Sequence, residues 1–212
     1  MRSLALSALA LLAVAALHAP TVRADDPPAP AAPTEPAPAA QLDVTVPTWG
    51  NATCPIMGKP SSEALYVDVK FGRIYICCPP CARKIRAEPA TAYRAAYPTV
   101  THLDNKIDPV TGQALGEKTV SVEIQGYEFK VCADGCEAKA RENSQITLVH
   151  LLMPDVVDIR NTRCPIDGEP VVANAFCLIG NNLVHLSSQK HVAQVKENPA
   201  AALAKARESA PR

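Results

Sequence analysis

Hydrophobic and polar residues alternate along two stretches of the chain. The clearer stretch has apolar residues at every second position on both sides of Gln125-Gly126: Val120, Val122, Ile124, Tyr127, Phe129 and Val131. A similar pattern surrounds Gly72: Leu65, Val67, Val69, Ile74 and Ile76. Alternation on both sides of a glycine-containing turn is typical of an antiparallel hairpin with one buried face. The sequence therefore predicts two β-hairpins.

Short helices are predicted behind the hairpins. Residues 79–88 read Pro-Pro-Cys-Ala-Arg-Lys-Ile-Arg-Ala-Glu, with proline in the first turn and good helix formers after it. Residues 189–198 form a parallel stretch further along the chain. Pro89 and Pro199 should end the first helix and begin a second one, because proline is tolerated in the first turn of a helix but not in its interior.

An internal repeat determines how the chain is organised. The motif Asn-x-x-(Cys/Asp)-Pro-(Ile/Val)-x-Gly occurs at residues 51–58, 105–112 and 161–168. A second motif follows in each copy: Cys77-Cys78-Pro-Pro-Cys81, Cys132-Ala-Asp-Gly-Cys136 and Ser187-Ser188-Gln-Lys-His191. The last residues of these motifs are 55 residues apart each time. We therefore predict three tandem modules at residues 43–100, 101–156 and 157–212, the third of them degenerate.

The two motifs give module 1 the side chains of a metal site. Cys54 lies in a turn, while Cys77 and Cys81 bracket a predicted helix start. A unit of ~55 residues buries little apolar surface, so a cross-link between turn and helix would stabilise it disproportionately. Thiolates near a helix N-terminus are also favoured by its unpaired N–H groups. Soft thiolate ligands favour zinc or copper, Cu(I) above all, over magnesium or calcium.

The pattern Cys54-x22-Cys77-x3-Cys81, with Cys-Pro-x-x-Gly at its front, resembles the TRASH and YHS group of heavy-metal-binding modules. The resemblance covers roughly residues 51–208 as three copies. It implies an α+β, treble-clef-like fold and a non-catalytic role in binding, trafficking or sensing a transition-metal ion. By position, the implied metal ligands are Cys54, Cys77 and Cys81 in module 1, Asp108, Cys132 and Cys136 in module 2, and Cys164 and His191 in module 3.

Modules 2 and 3 depart from the pattern, because only module 1 keeps three cysteines. Asp108 could ligate through a carboxylate oxygen and His191 through an imidazole nitrogen, whereas Ser187 is a poor ligand. We therefore rank the three sites in chain order. Cys78 is not expected to join its neighbour on one ion without backbone distortion, and Met57 is expected to pack rather than to ligate.

Two alternatives stay open. Eight cysteines in an exported protein suit a disulfide framework. Cys164–Cys177 and Cys132–Cys136 bridges would then stabilise a scaffold that binds another exported protein. Residues 78–81, Cys-Pro-Pro-Cys at a helix start, resemble the site of a thiol-disulfide oxidoreductase, although the βαβ context is missing. Exchange of cysteine for aspartate or histidine, which hold metal but cannot bridge, favours the metal hypothesis.

The N-terminal region predicts export. An almost uninterrupted apolar run from Leu4 to Leu17 is too short to span a bilayer, and a small-residue cleavage site follows at residues 22–24. We predict a signal peptide at residues 1–24 and a membrane contact only if this segment stays uncleaved. Residues 25–42 are rich in proline and alanine, which predicts an extended linker. The protein is thus expected to be periplasmic or secreted.

Charge and composition limit the classes of binding partner and indicate what stabilises the fold. The 21 basic and 21 acidic residues balance, which leaves no basic surface for phosphate backbones and argues against nucleic-acid binding. An aromatic content of 4% beside eight cysteines indicates that covalent or metal cross-links carry part of the stability. Three histidines have no partner recognisable by spacing: His102, His150 and His185.

Overall fold

Three β-hairpins, one in each sequence repeat, form the framework of the molecule. The computed structural model describes residues 42–133 and 135–211, so the predicted signal peptide and almost all of the predicted linker lie outside the described residues. Within them the strands are β1 Val44–Thr45, β2 Ser62–Val69, β3 Gly72–Ile76, β4 Thr101–His102, β5 Thr119–Ile124, β6 Tyr127–Cys132, β7 Val157–Asp158, β8 Phe176–Ile179 and β9 Asn182–His185. The pairs β2–β3, β5–β6 and β8–β9 are antiparallel. The first two pairs confirm the hairpins predicted from alternation.

Short strands extend two of the hairpins into larger sheets. β4 pairs in parallel with β6, which gives the order β4-β6-β5. β7 pairs in parallel with β9, and β1 adds to β8 on the other side, which gives the order β1-β8-β9-β7. The N-terminal strand is thus part of the sheet of the third repeat. Strands of two residues have no periodicity, so the sequence did not predict β1, β4 or β7.

Two helices follow each hairpin. Among the described residues the α-helices are α1 Pro79–Ala87, α2 Pro89–Ala96, α3 Cys136–Glu142, α4 Ser144–Leu152, α5 Val192–Glu197 and α6 Pro199–Glu208. Pro89 and Pro199 begin the second helix of their repeats, as predicted. The stretch 189–198 is less regular than predicted, because a 3-10 turn at Gln189–His191 precedes α5. None of the helices in the described ranges is long and apolar enough to cross a membrane.

Small apolar cores hold the hairpins and helices together. The fully buried residues include Ile74 and Ile85 in the first repeat, Val122 and Phe129 in the second, and Leu186 and Val195 in the third. A further cluster joins the second and third repeats: Ile146, Val149, Phe176, Leu178 and Leu183. The architecture is α+β, with the two motifs of each repeat flanking its hairpin.

Candidate metal centre

The turn that carries the first candidate ligand has the same construction in each repeat. In the first repeat Thr53 forms a β-bridge with Pro60, and the N–H of Gly58 donates to the carbonyl of Cys54 at 2.9 Å. Gly58 has a φ of 64°, in the left-handed region that glycine adopts without strain. The corresponding bridges in the other repeats are Ile107–Ala114 and Arg163–Pro170. The spacing from cysteine or aspartate to glycine, which recurs in all three repeats, therefore encodes this turn.

The asparagine that opens each motif fixes the turn to the hairpin. Asn51 Nδ2 donates to the carbonyls of Thr53 and Tyr75 at 2.9 and 2.8 Å, and Asn51 Oδ1 accepts the N–H of Tyr75 at 2.9 Å. The same three bonds join Asn105 to Ile107 and Lys130, and Asn161 to Arg163 and His185. The strand residue bonded in this way lies two positions before the second motif. Each asparagine thus holds the turn beside the start of the helix.

In the first repeat this arrangement brings three thiols together. Cys54, Cys77 and Cys81 offer sulfur atoms that all lie within 4.8 Å of one another. The Sγ atoms of Cys77 and Cys81 are 3.9 Å apart. Cys54 and Cys81 are buried, Cys77 is half-buried, and all three are free thiols. The donor set therefore suits a soft transition-metal ion.

The electrostatic surroundings prepare one of these thiols to lose its proton. Burial by itself would raise the pKa of Cys54, but hydrogen bonds from the N–H groups of Cys77, Ile56 and Met57 lower it to about 7. Burial and hydrogen bonds with the neighbouring thiols raise the pKa of Cys81 to about 12. Cys54 is thus the thiol that loses its proton most readily, and metal binding would displace the protons that remain on the others.

A fourth sulfur lies closer to this cluster than the sequence suggested. Cys78 Sγ is 3.8 Å from Cys77 Sγ and 3.4 Å from Cys81 Sγ. Cys78 is the N-cap of α1, where the chain turns from strand into helix. It is not a member of the group of donors that all lie within 4.8 Å of one another, so its joining Cys77 on one ion stays a matter for proposal. Met57, which was expected to pack, is instead 52% exposed.

The second repeat brings its three predicted ligands together but in a different chemical state. Atoms of Asp108, Cys132 and Cys136 lie within 4.8 Å of one another, and Cys132 and Cys136 form a disulfide. The carboxylate accepts the N–H of Val110 at 2.7 Å and the N–H of Cys132 at 2.8 Å. Disulfide sulfurs are not thiolate ligands, so this group cannot bind metal through sulfur until the bond is reduced.

The third repeat joins its two predicted ligands with a residue that the sequence analysis missed. Cys164, Asp167 and His191 form the third group of candidate ligands. His191 Nδ1 lies 3.5 Å from Cys164 Sγ and 3.8 Å from Asp167 Oδ2. Ser187 Oγ donates to Asp167 Oδ2 at 2.8 Å. Asp167 occupies the variable position before the glycine of the first motif. Its carboxylate was the one feature of the sequence that could have identified it as a candidate ligand.

The disulfide considered between Cys164 and Cys177 is not present. Both residues are free, buried thiols in the described part of the chain. Cys177 lies in the apolar core of the third repeat, where burial raises its pKa to about 12. It is therefore a core residue and not the disulfide partner that its lack of a counterpart in the other repeats had suggested.

Comparison of the chain with protein-family models, with curated proteins and with solved structures found no match. The side-chain clusters and the repeated sequence pattern therefore carry the functional inference.

Proposed function

We propose that this chain is an exported, non-enzymatic protein that binds a transition-metal ion, zinc or copper, through Cys54, Cys77 and Cys81. The observation that carries the proposal is the convergence of three free thiols, contributed by a turn and a helix start, at a largely buried point. Thiolates brought together in this way are the ligand set of zinc and Cu(I) sites. The lowered pKa of Cys54 supports the same role, because the thiolate is the form that binds metal.

The proposal extends to the kind of module and its setting. A turn, a hairpin and two helices recur in each repeat, which supports three treble-clef-like modules of the TRASH and YHS kind. Trafficking, storage, resistance and sensing of metal are the roles of such modules. Export through residues 1–24 belongs to the proposal, and the Cys132–Cys136 disulfide supports an oxidising compartment.

A second, weaker metal site is proposed in the third repeat. Cys164, Asp167 and His191 offer sulfur, oxygen and nitrogen, a mixed set that zinc accepts. This set is harder than the thiols of the first repeat, so the two sites should differ in metal preference. The second repeat would bind metal only after reduction of its disulfide.

A disulfide-stabilised interaction scaffold is the alternative function, and the Cys132–Cys136 bridge favours it. The hydrogen bonds of Asp108 serve the fold without any metal. A thiol-disulfide oxidoreductase is a further alternative, favoured by the distance of 3.4 Å between the sulfurs of Cys78 and Cys81.

Elemental analysis of the protein purified without oxygen, combined with a thiol count before and after chelation, tests the proposal. We expect at least one equivalent of zinc or copper, and thiols that react only after the chelator is added. Cys54→Ser should lose that equivalent, whereas Met57→Leu, an exposed neighbour in the same turn, should keep it. Absence of metal together with newly closed disulfides would support the scaffold instead. Turnover of an added disulfide substrate would support the oxidoreductase.

A further inference from the structure

Cys78 differs from its counterparts in the other repeats in a way that the fold does not require. Ala133 and Ser188 occupy the same position of the second motif. Ser188 Oγ accepts the N–H of Lys190 at 3.3 Å, as an N-cap serine usually does. Cys78 is the N-cap of α1, yet its side chain makes no such bond among the residues that the structure describes. The helix start is therefore built without cysteine elsewhere, and the sulfur of Cys78 is left for another role.

The sulfur atoms of the helix start have the spacing of ligands around one ion. The separations are 3.8 Å between Cys77 and Cys78, 3.4 Å between Cys78 and Cys81, and 3.9 Å between Cys77 and Cys81. With a zinc–sulfur bond of about 2.3 Å, the sulfurs of a tetrahedral site lie about 3.8 Å apart. Three of the sulfurs thus already form one face of such a tetrahedron. Cys54 lies within 4.8 Å of Cys77 and Cys81 but is not grouped with Cys78. Metal binding would therefore have to draw the sulfurs of Cys54 and Cys78 together to complete the tetrahedron.

We propose that Cys78 is the fourth ligand of the first-repeat metal centre, which is then a tetrahedral site of four cysteines. This inference rests on the proposed function and deepens it by naming the metal. A tetrahedral set of four sulfurs is typical of zinc or of an iron–sulfur centre, and for a single divalent ion it indicates Zn²⁺ rather than copper.

The surroundings compensate the charge of such a site. Four thiolates around Zn²⁺ leave a net charge of about minus two by simple valence. The N–H groups of Ile56, Met57 and Cys77 face the Cys54 sulfur. The N-terminus of α1, a helix of nine residues, lies beside Cys78, and its partial positive charge stabilises anions. Both groups of backbone dipoles are already in place before metal arrives.

Cobalt substitution counts the thiolates directly, because each cobalt–thiolate bond contributes to the charge-transfer absorption. The full chain is loaded with Co²⁺ without oxygen, with Cys164→Ala in every sample so that the third repeat contributes no thiolate. Two variants copy residues that the other repeats carry at this position: Cys78→Ser copies Ser188, and Cys78→Ala copies Ala133. Both are thus expected to fold. Ser188→Ala serves as the matched control.

We expect both Cys78 variants to lose about one quarter of the charge-transfer intensity and their apparent zinc affinity to fall on the order of 100-fold. The Ser188→Ala control should change neither quantity. Equal spectra for the parent and Cys78→Ser would overturn the fourth-ligand proposal and leave a three-thiolate site standing. Failure of the parent protein itself to bind Co²⁺ or Zn²⁺ would overturn the proposed function as well. A Cys78–Cys81 disulfide in the metal-free parent, seen as a mass loss, would support the oxidoreductase.

Discussion

His150 Nε2 lies 3.2 Å from Asp158 Oδ2, although the two residues belong to different repeats. His150 Nδ1 lies 2.6 Å from the carbonyl oxygen of Pro109, which can only accept, so Nδ1 carries a proton. Nε2 makes no hydrogen bond of good geometry among the described residues, so the contact with Asp158 is electrostatic and is favourable when His150 carries a second proton. It connects α4 to β7. His185 Nε2 contacts the other carboxylate oxygen at 2.7 Å.

This contact makes the stability of the protein depend on pH. Burial would lower the pKa of His150, but the contact with the Asp158 carboxylate and the hydrogen bond to the Pro109 carbonyl raise it. Its contribution is thus complete below the ordinary histidine pKa of about 6.5 and is lost as pH rises through the raised value. Burial would raise the pKa of Asp158, but the two histidines lower it well below its usual range. That contribution is present above about pH 4 and is lost in acid.

We expect Asp158→Asn to lower the free energy of unfolding by about 1–3 kcal/mol at pH 5.5. The loss should be smaller at pH 8 than at pH 5.5, because a smaller share of His150 is protonated at the higher pH. Urea unfolding at both pH values measures the difference. Asp155→Asn, which changes an exposed acid near the same strand, should have little effect at either pH. An equal loss at pH 5.5 and pH 8 would contradict the charged state assigned to His150.

Asp108 takes the structural place of a thiolate, which leads to a second prediction. Its carboxylate accepts hydrogen bonds from the N–H groups of Val110 and Cys132. In the first repeat the N–H groups of Ile56 and Cys77, at the corresponding positions, donate to the sulfur of Cys54. Asp108→Cys should therefore restore a three-thiol site in the second repeat. In reduced, oxygen-free protein we expect one additional equivalent of zinc by elemental analysis. Asp104→Cys adds a thiol at an exposed position of the same repeat and should add no zinc; a gain there would point to non-specific binding.

The motif asparagines should contribute unequally to stability, because they are buried to different degrees. Asn51 is 8% exposed, whereas Asn105 is half-buried. Asn51→Ala leaves the buried N–H of Tyr75 without its partner and the Tyr75 carbonyl with only the 3.3 Å bond from Ser61 Oγ, which should cost about 1–3 kcal/mol. Asn105→Ala should cost about 1 kcal/mol, since water can replace its bonds. Chemical denaturation compares the two variants, and zinc affinity at the first repeat should fall only with Asn51→Ala.

Local patterns could be predicted from the sequence, but contacts between repeats could not. Alternation around Gly126 and the prolines at 89 and 199 were sufficient for the hairpins and helix boundaries, because those signals are local. The repeat also identified the residues that meet at each cluster, except Asp167 in the third. The Cys132–Cys136 bridge stayed one of several alternatives, since cysteine spacing does not specify oxidation state. The contacts of His150 and His185 with Asp158 depend on how the second and third repeats pack, which no periodicity records.

Gln125 shows the same division between local and long-range information. The sequence predicted a turn at Gln125-Gly126, and Gln125 does adopt a φ of 50°. Its buried side chain, however, reaches the first repeat, where Oε1 accepts the N–H of Arg73 at 3.0 Å and Nε2 donates to the carbonyl of Trp49. A turn signal alone would favour glycine here, because glycine adopts positive φ without strain.

Replacement of Gln125 by glycine therefore sets a backbone gain against the loss of buried hydrogen bonds. The gain in backbone conformation is about 1 kcal/mol. Leaving the buried Arg73 N–H and Trp49 carbonyl unpaired costs about 1–3 kcal/mol for each group. We thus expect Gln125→Gly to lower the free energy of unfolding by about 1–5 kcal/mol.

Arg160→Gly provides the control, because Arg160 also has a positive φ, 56°, but is exposed. Its backbone N–H, which donates to Asp158, is kept in the variant. The variant relieves the strain of the positive φ and loses no buried hydrogen bond. The free energy of unfolding should therefore stay unchanged or rise slightly. Thermal and urea unfolding of both variants measure the contrast. If Gln125→Gly were as stable as the parent protein, the side-chain bonds between the first and second repeats would contribute nothing beyond the turn.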